Sequence, residues 1–318
     1  MRLESDASIE CVAFLYASLP GDDESEAQPI GTCFFMEARS PDQTRQFIYL
    51  VTAKHVLHEL MRTGGHWFVR LNIGKPRKRG ELRAKGQGVR FETLPNVGWL
   101  THPDDAIDLA VLPWRPPQAS GTSFTTIQME AVEAIPGLLA FQKLPWPPGE
   151  GEDVLFVGMM IQFQGEHRNL PIVRRGSVAL TTDEPIKGAY GFSNYYVIEA
   201  QAYQGNSGGP VWSTESGILF PLGVLVFSYP DVEELRKMKD VPEAYYNLGI
   251  SLVTPMERVV EIVDSQGEQK RRGTDSDPAR KGVALSGGDD SGIQTLTRED
   301  FERALKKIGR PKPASPAD

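Results

Sequence analysis

Short apolar runs bounded by Gly, Pro or Asp recur throughout the first 255 residues of this 318-residue chain. Repeated at close intervals, they are the signature of an all-β barrel or sandwich. Candidate strands in the first half are Cys11 to Ala17, Gly31 to Glu37, Phe47 to Thr52, Trp67 to Asn72, Gly88 to Phe91 and Ile107 to Leu112. In the second half they are Asp153 to Met159, Val173 to Thr181, Tyr195 to Glu199, Pro210 to Trp212, Ile218 to Phe227 and Leu248 to Val253. Between the two groups lies a proline-rich stretch, from Pro113 through Pro116-Pro117 to Pro145-Trp146-Pro147-Pro148. Proline offers no N–H to a ladder, so this stretch reads as a linker between two β units.

One turn carries chemistry. Gln204-Gly205-Asn206-Ser207-Gly208-Gly209-Pro210 sets a serine among glycines, between two strand-like runs. Glycines let the backbone fold tightly enough to aim a hydroxyl and amide N–H groups at one point. Acyl transfer requires that combination, although an ordinary hairpin could have the same composition. A serine hydroxyl also needs a base. Among five histidines, His55 follows the strand run Ile48-Tyr49-Leu50-Val51-Thr52, whose rigidity fixes its position. His58, His66, His102 and His167 lie in polar stretches and read as solvated. The imidazole needs an acid to set its tautomer. Asp108 opens the buried-looking run Leu109-Ala110-Val111-Leu112, whereas Asp104 and Asp105 sit in a looser segment. Asp108 is therefore preferred.

Thr52-Ala53-Lys54-His55, Asp108-Leu109-Ala110-Val111 and Gly205-Asn206-Ser207-Gly208-Gly209-Pro210 resemble, in order and approximate spacing, the signature segments of the chymotrypsin-like (trypsin-fold) serine peptidases. Ile30 to Phe35, Pro221 to Val226 and Leu248 to Leu252 resemble further strands of that family, and Gly151 to Gly158 resembles the bacterial HtrA-like branch. The resemblance covers roughly residues 8 to 265. It implies two six-stranded antiparallel barrels, about 1–120 and 140–265, and the run from Thr254-Pro255 to Val263 reads as a closing helix, with a threonine cap, proline at the first position and apolar residues at helical spacing. The resemblance also implies a His55–Asp108–Ser207 triad in the cleft between the barrels, with the amides of Gly205 and Ser207 holding the oxyanion. Alignment to the family sets Gln201 at the base of the substrate pocket, with Val226, Phe227, Ser228 and Gly249 as walls. A neutral Gln201 implies an uncharged residue ahead of the scissile bond. Two positions depart from the pattern. Asn206 stands where zymogen-activated relatives carry an aspartate, which removes that activation route. Val226 replaces a serine that supports the acid in digestive relatives.

The function expected is hydrolysis of a protein or peptide substrate. The alternatives are an inactive binding module of the same fold, or a peptidase restrained until a partner or tail release frees it. No cofactor or metal is called for. The net charge of −8 argues against general attraction to nucleic acid or anionic membrane. Lys75 to Lys85 is a local basic run, read as a solvated hairpin loop. Two cysteines, Cys11 and Cys33, suit a reducing compartment, as free thiols rather than a bridge. Met1 to Ser8 lacks an apolar leader core and no long apolar run is present, so cytoplasmic residence is expected. From Gln266 the charged, Gly/Ser-rich composition reads as a disordered tail. Within it, 297–308 could form an amphipathic helix, either transient or a docking segment for a regulatory partner.

Overall fold

The computed structural model describes residues 7–74, 88–117, 121–141, 147–181, 184–214, 219–231, 246–274, 283–284 and 294–296. The basic run Lys75 to Lys85 and the candidate helix at 297–308 lie outside them. The chain is mostly β with few helices. No helix among the described residues is long and apolar enough to cross a membrane.

The amino-terminal half supplies β1 (Val12–Ala17), β2 (Gln28–Arg39), β3 (Arg45–Thr52), β4 (Trp67–Ile73), β5 (Gly88–Leu94), β6 (Leu100–Thr101), β7 (Ala110–Pro113) and β8 (Thr125–Gln128). β-Branched and aromatic residues recur in these runs, as suits a pleated strand, and β1, β7 and most of β2 and β3 are buried on both faces. Neighbours in the order β5-β4-β1-β2-β3-β7-β6 are all antiparallel. Among the described residues no pairing joins the end strands β5 and β6 of this path, so the six-stranded antiparallel barrel expected from the sequence is not closed there. β2 is longer than its partner β1. β1 covers it only as far as Phe34, and β8 pairs in parallel with the remainder at Met36 and Glu37.

The carboxy-terminal half supplies β9 (Asp153–Gly158), β10 (Ile172–Thr181), β11 (Ile186–Lys187), β12 (Phe192–Ser193), β13 (Tyr196–Glu199), β14 (Pro210–Ser213), β15 (Phe220–Asp231) and β16 (Tyr246–Pro255). Six of them form a closed barrel, β10-β13-β16-β15-β14-β9, while β11 and β12 make a separate hairpin. Successive residues of a strand face opposite sides. Along β9, Val154 and Phe156 pack in a cluster confined to the barrel, while Leu155 and Val157 join a core shared with the first sheet.

Helices α1 (Ala7–Glu10), α2 (Lys54–Thr63), α3 (Met129–Phe141), α4 (Met256–Val263) and α5 (Gln266–Thr274) complete the described fold. Three expectations change here. The supposed linker contains β8 and α3, because the Thr125-Thr126-Ile127 run can pair with the free end of β2. Thr254 does not cap α4; it is still in the β16 ladder, opposite Val224. The supposed tail begins with α5, and β17 (Val283–Ala284) pairs with β3 while β18 (Gln294–Leu296) pairs with β8. In α5 the buried residues are Glu268 and Arg272, so no apolar stripe advertises the helix.

Candidate active site

His55 is the second residue of α2, which begins two residues beyond the end of β3. The first turn of a helix leaves N–H groups without partners, and a carboxylate there is favoured by the helix dipole. Ala53 provides no side-chain cap. Asp108 does the work from 53 residues away: its Oδ1 accepts the His55 main-chain N–H at 2.9 Å, and its Oδ2 lies 2.8 Å from His55 Nδ1. The Asp108 side chain is 1% exposed and that of His55 is 34% exposed. A carboxylate accepts only, so the proton sits on Nδ1 and Nε2 is left as a proton acceptor. One buried acid thus caps the helix and sets the tautomer. Asp104 and Asp105 make other bonds: Asp104 Oδ1 accepts from Ala106 N, and the Asp105 carbonyl accepts from Lys54 Nζ at 2.6 Å.

Ser207 lies half-buried in a turn pressed against the first sheet. Thr32 N donates to the Ser207 carbonyl at 3.0 Å. Gly208 has φ +87°, and a methyl there would meet Thr32 O at 2.1 Å, Thr52 Oγ1 at 2.3 Å and Ala53 N at 3.2 Å. Only glycine fits both the backbone angle and the space. A methyl on Gly31 would lie 2.8 Å from Val56 Cγ1 and 3.4 Å from the Ser207 carbonyl oxygen. The residues on either side of His55 therefore border the serine turn.

The turn's amides divide into two groups. Asn206 N donates to Tyr203 O, Gly208 N to Leu225 O and Gly209 N to Asn206 O. Among the described residues, the N–H groups of Gly205 and Ser207 have no carbonyl acceptor. The peptide is held from behind instead. Thr32 Oγ1 donates to Gly205 O at 2.5 Å and accepts from Met159 N at 2.8 Å. Asn206 is fully buried, with Nδ2 donating to Met159 O at 2.6 Å and Oδ1 accepting from Tyr203 N at 2.7 Å. Two donors left open on a braced turn can receive a developing negative oxygen. Sequence reasoning missed Thr32 and Met159, and gave Asn206 only a negative role.

Of the expected pocket residues, Gln201 is exposed, and Gly249 (φ +75°) accepts from Ala200 N at 2.6 Å. Val226 is buried in the core shared by the two halves. Phe227 and Ser228 lie in β15, opposite Leu252 and Ser251 of β16. Two histidines read as solvated have partners: His58 Nδ1 lies 2.7 Å from Tyr190 OH, and His102 Nε2 lies 2.7 Å from Glu261. Burial pushes the Tyr190 phenol up to about 12, with a further contribution from the Asp108 charge. Cys11 and Cys33 are free, and burial raises both thiols well above their ordinary range.

A family model described as trypsin-like peptidase domain matches residues 31–219. No protein among curated sequences matches the chain. Among solved structures, the chain is similar to the MamO protease domain of Magnetospirillum magneticum in its apo form. That match has 14% identity and a TM-score of 0.48, covering 80% of this chain and 97% of that one. Deg5 matches at 14% identity and a TM-score of 0.46, over 80% of this chain and 88% of that one. An inactive form of Rv3671c from M. tuberculosis H37Rv matches at 16% identity and a TM-score of 0.39, over 82% and 89%.

Proposed function

We propose that this chain, which belongs to the trypsin-like peptidase domain family, is a serine endopeptidase acting through an acyl-enzyme intermediate. The observation that carries this reading is the buried Asp108 carboxylate bonded to both the main chain and the ring of His55, beside the glycine-braced serine turn. In this reading Ser207 Oγ attacks the scissile carbonyl carbon as His55 Nε2 takes its proton. Asp108 holds Nδ1–H and stabilises the imidazolium. The carbonyl oxygen, now negative, accepts from the N–H groups of Gly205 and Ser207. His55 then gives the proton to the leaving amine, the C–N bond breaks, and water repeats the sequence on the acyl serine.

General-base help of this kind contributes about 10²–10⁴ in rate, and each oxyanion donor about 10²–10³. The open first sheet would be the counterpart of the family's first barrel. Affiliation with the HtrA-like branch is supported by Asn206, whose amide has two internal partners where an activated relative needs a charge. A neutral Gln201 favours an uncharged residue ahead of the cleaved bond. A cleavage profile dominated by Lys or Arg would refute that preference.

The test is a fluorophosphonate probe followed by an unbiased peptide pool. The parent protein is expected to be labelled on Ser207 and to cleave the pool, and Ser207→Ala to do neither. A folded parent that resists labelling, and behaves like Ser207→Ala on the pool, would establish a binding module instead.

A further inference from the structure

We propose that Arg70 is a positioning residue for the oxyanion-binding turn, acting from the first sheet through the segment between Met159 and Leu170. The proposal rests on the serine peptidase reading and names a residue that holds its machinery in place. Arg70 lies in β4 and is only 5% exposed. Its Nη1 donates to Gln164 O at 3.0 Å and to Asn169 Oδ1 at 3.0 Å, and its Nη2 to Gly165 O at 2.5 Å and Glu166 O at 3.2 Å. Asn169 completes the clasp. It donates Nδ2 to the Arg70 carbonyl at 2.6 Å and its own N–H to Asn72 Oδ1 at 2.8 Å. All four acceptors of the guanidinium are neutral, and three are main-chain carbonyls of one loop. Burying a charge is costly unless its hydrogen bonds are met. A planar fork can satisfy several carbonyls at once, which an ammonium on the same stem cannot.

The other end of the segment forms the wall of the serine turn. Met159 N donates to Thr32 Oγ1, and Met159 O accepts from Asn206 Nδ2. A methyl on Gly205 would lie 3.1 Å from Ile161 Cγ1 and 3.2 Å from Met159 O. Between the two ends the chain makes one tight turn, with Phe163 N bonded to Met160 O and Leu170 N to Gln164 O. Phe163 itself is 59% exposed, so apolar packing of that side chain does not hold the turn. Arg70 donates four of the hydrogen bonds that fasten its far side to the first sheet, alongside those from the Tyr16 hydroxyl to the Gln164 side chain and from Asn169 to Asn72 and to the Arg70 carbonyl. Release it, and the Met159 carbonyl can swing away from Asn206, taking the aim of the Gly205 and Ser207 amides with it. Arg70 is placed to act on the donors through this segment, and a misplacement near 1 Å is enough to cost about a hundredfold in rate.

The experiment compares the full chain with Arg70→Met, Arg70→Lys and Asn169→Ala on a peptide amide substrate selected from the pool. Hydrogen–deuterium exchange is followed in parallel. Arg70→Met is expected to lower kcat about 10- to 100-fold with KM changed less than about twofold. The pH profile of kcat/KM should keep its acid limb, since the His55–Asp108 pair is untouched. Arg70→Lys should recover only part of the loss, and Asn169→Ala should fall between parent and Arg70→Met. Exchange should quicken in peptides covering 159–170 and 203–209 and stay unchanged elsewhere. An unchanged kcat, an unchanged 203–209, or quickening spread over the whole chain would overturn the proposal. Should the parent hydrolyse nothing, the peptidase reading falls, and the exchange pattern alone decides whether Arg70 braces the turn.

Discussion

Thr32 carries no reactive group, yet four hydrogen bonds meet on it. Its N–H goes to Ser207 O, its hydroxyl to Gly205 O, and it accepts from Met159 N through oxygen Oγ1 and from Thr52 through its carbonyl. Thr32→Val keeps the shape and removes the hydroxyl, leaving Gly205 O and Met159 N buried without their partner. Each orphaned group costs about 1–3 kcal/mol. The expected outcome is a lower melting temperature together with slower fluorophosphonate labelling, and Thr32→Ser should retain most of both. Equal labelling rates in Thr32→Val and parent would show that the hydroxyl does not brace the turn. Thr32 was invisible in the sequence for a physical reason. His55 and Asp108 each sit at the mouth of an apolar run, and Ser207 sits among glycines that mark a tight turn. Such signals are local. Thr32 stands in mid-strand, where any β-branched residue looks alike, and its partners are 173 and 127 residues further on.

At the scale of elements, α5 grips the root of the strand that leads to His55. Tyr49 OH donates to Glu268 Oε1 at 2.7 Å, and Arg271 Nε donates to the same oxygen at 2.6 Å. Arg45 Nη2 reaches the carbonyls of Arg272 and Gly273, and the Arg271 guanidinium stands 5.3 Å from the Phe47 ring centroid. Arg272 closes the helix back onto Val263 O and Asp264. Charged residues do here what an apolar stripe does in α4, where Met256, Val259, Ile262 and Val263 are buried. Composition therefore reads α4 as helix and misreads α5 as tail. The strand runs, by contrast, were legible because strands buried on both faces, such as β1, β3 and β9, leave short continuous apolar runs in the sequence, whereas the parallel docking of β8 depends on a length mismatch that no such run encodes. A chain ending at Ser265 should lose about 2–3 kcal/mol, or roughly 5–10 °C in melting temperature. Its turnover should fall with it. A rise in turnover on truncation would mean that the tail restrains activity.

Across the whole molecule, the two halves have one core between them. Leu155, Val157, Trp212, Val224 and Leu252 of the barrel belong to the same cluster as Phe14, Phe34 and Leu50 of the first sheet. Each large apolar side chain so buried contributes about 1.5–3 kcal/mol, and Arg70, Thr32 and α5 add polar ties across the same boundary. The halves should then unfold as one. Variants keeping only Trp67 or only Trp212 as fluorophore are expected to report urea midpoints within about 0.2 M of each other, as coincident probes require for a two-state transition. Clearly separated midpoints would show two independent units. A last consequence follows from Asn206, whose carboxamide finds both its partners inside the fold. Nothing in that lock waits for a freshly exposed α-amino group, so a purification tag or fusion protein joined to the amino terminus is expected to leave the hydrogen bonds of the serine turn in place.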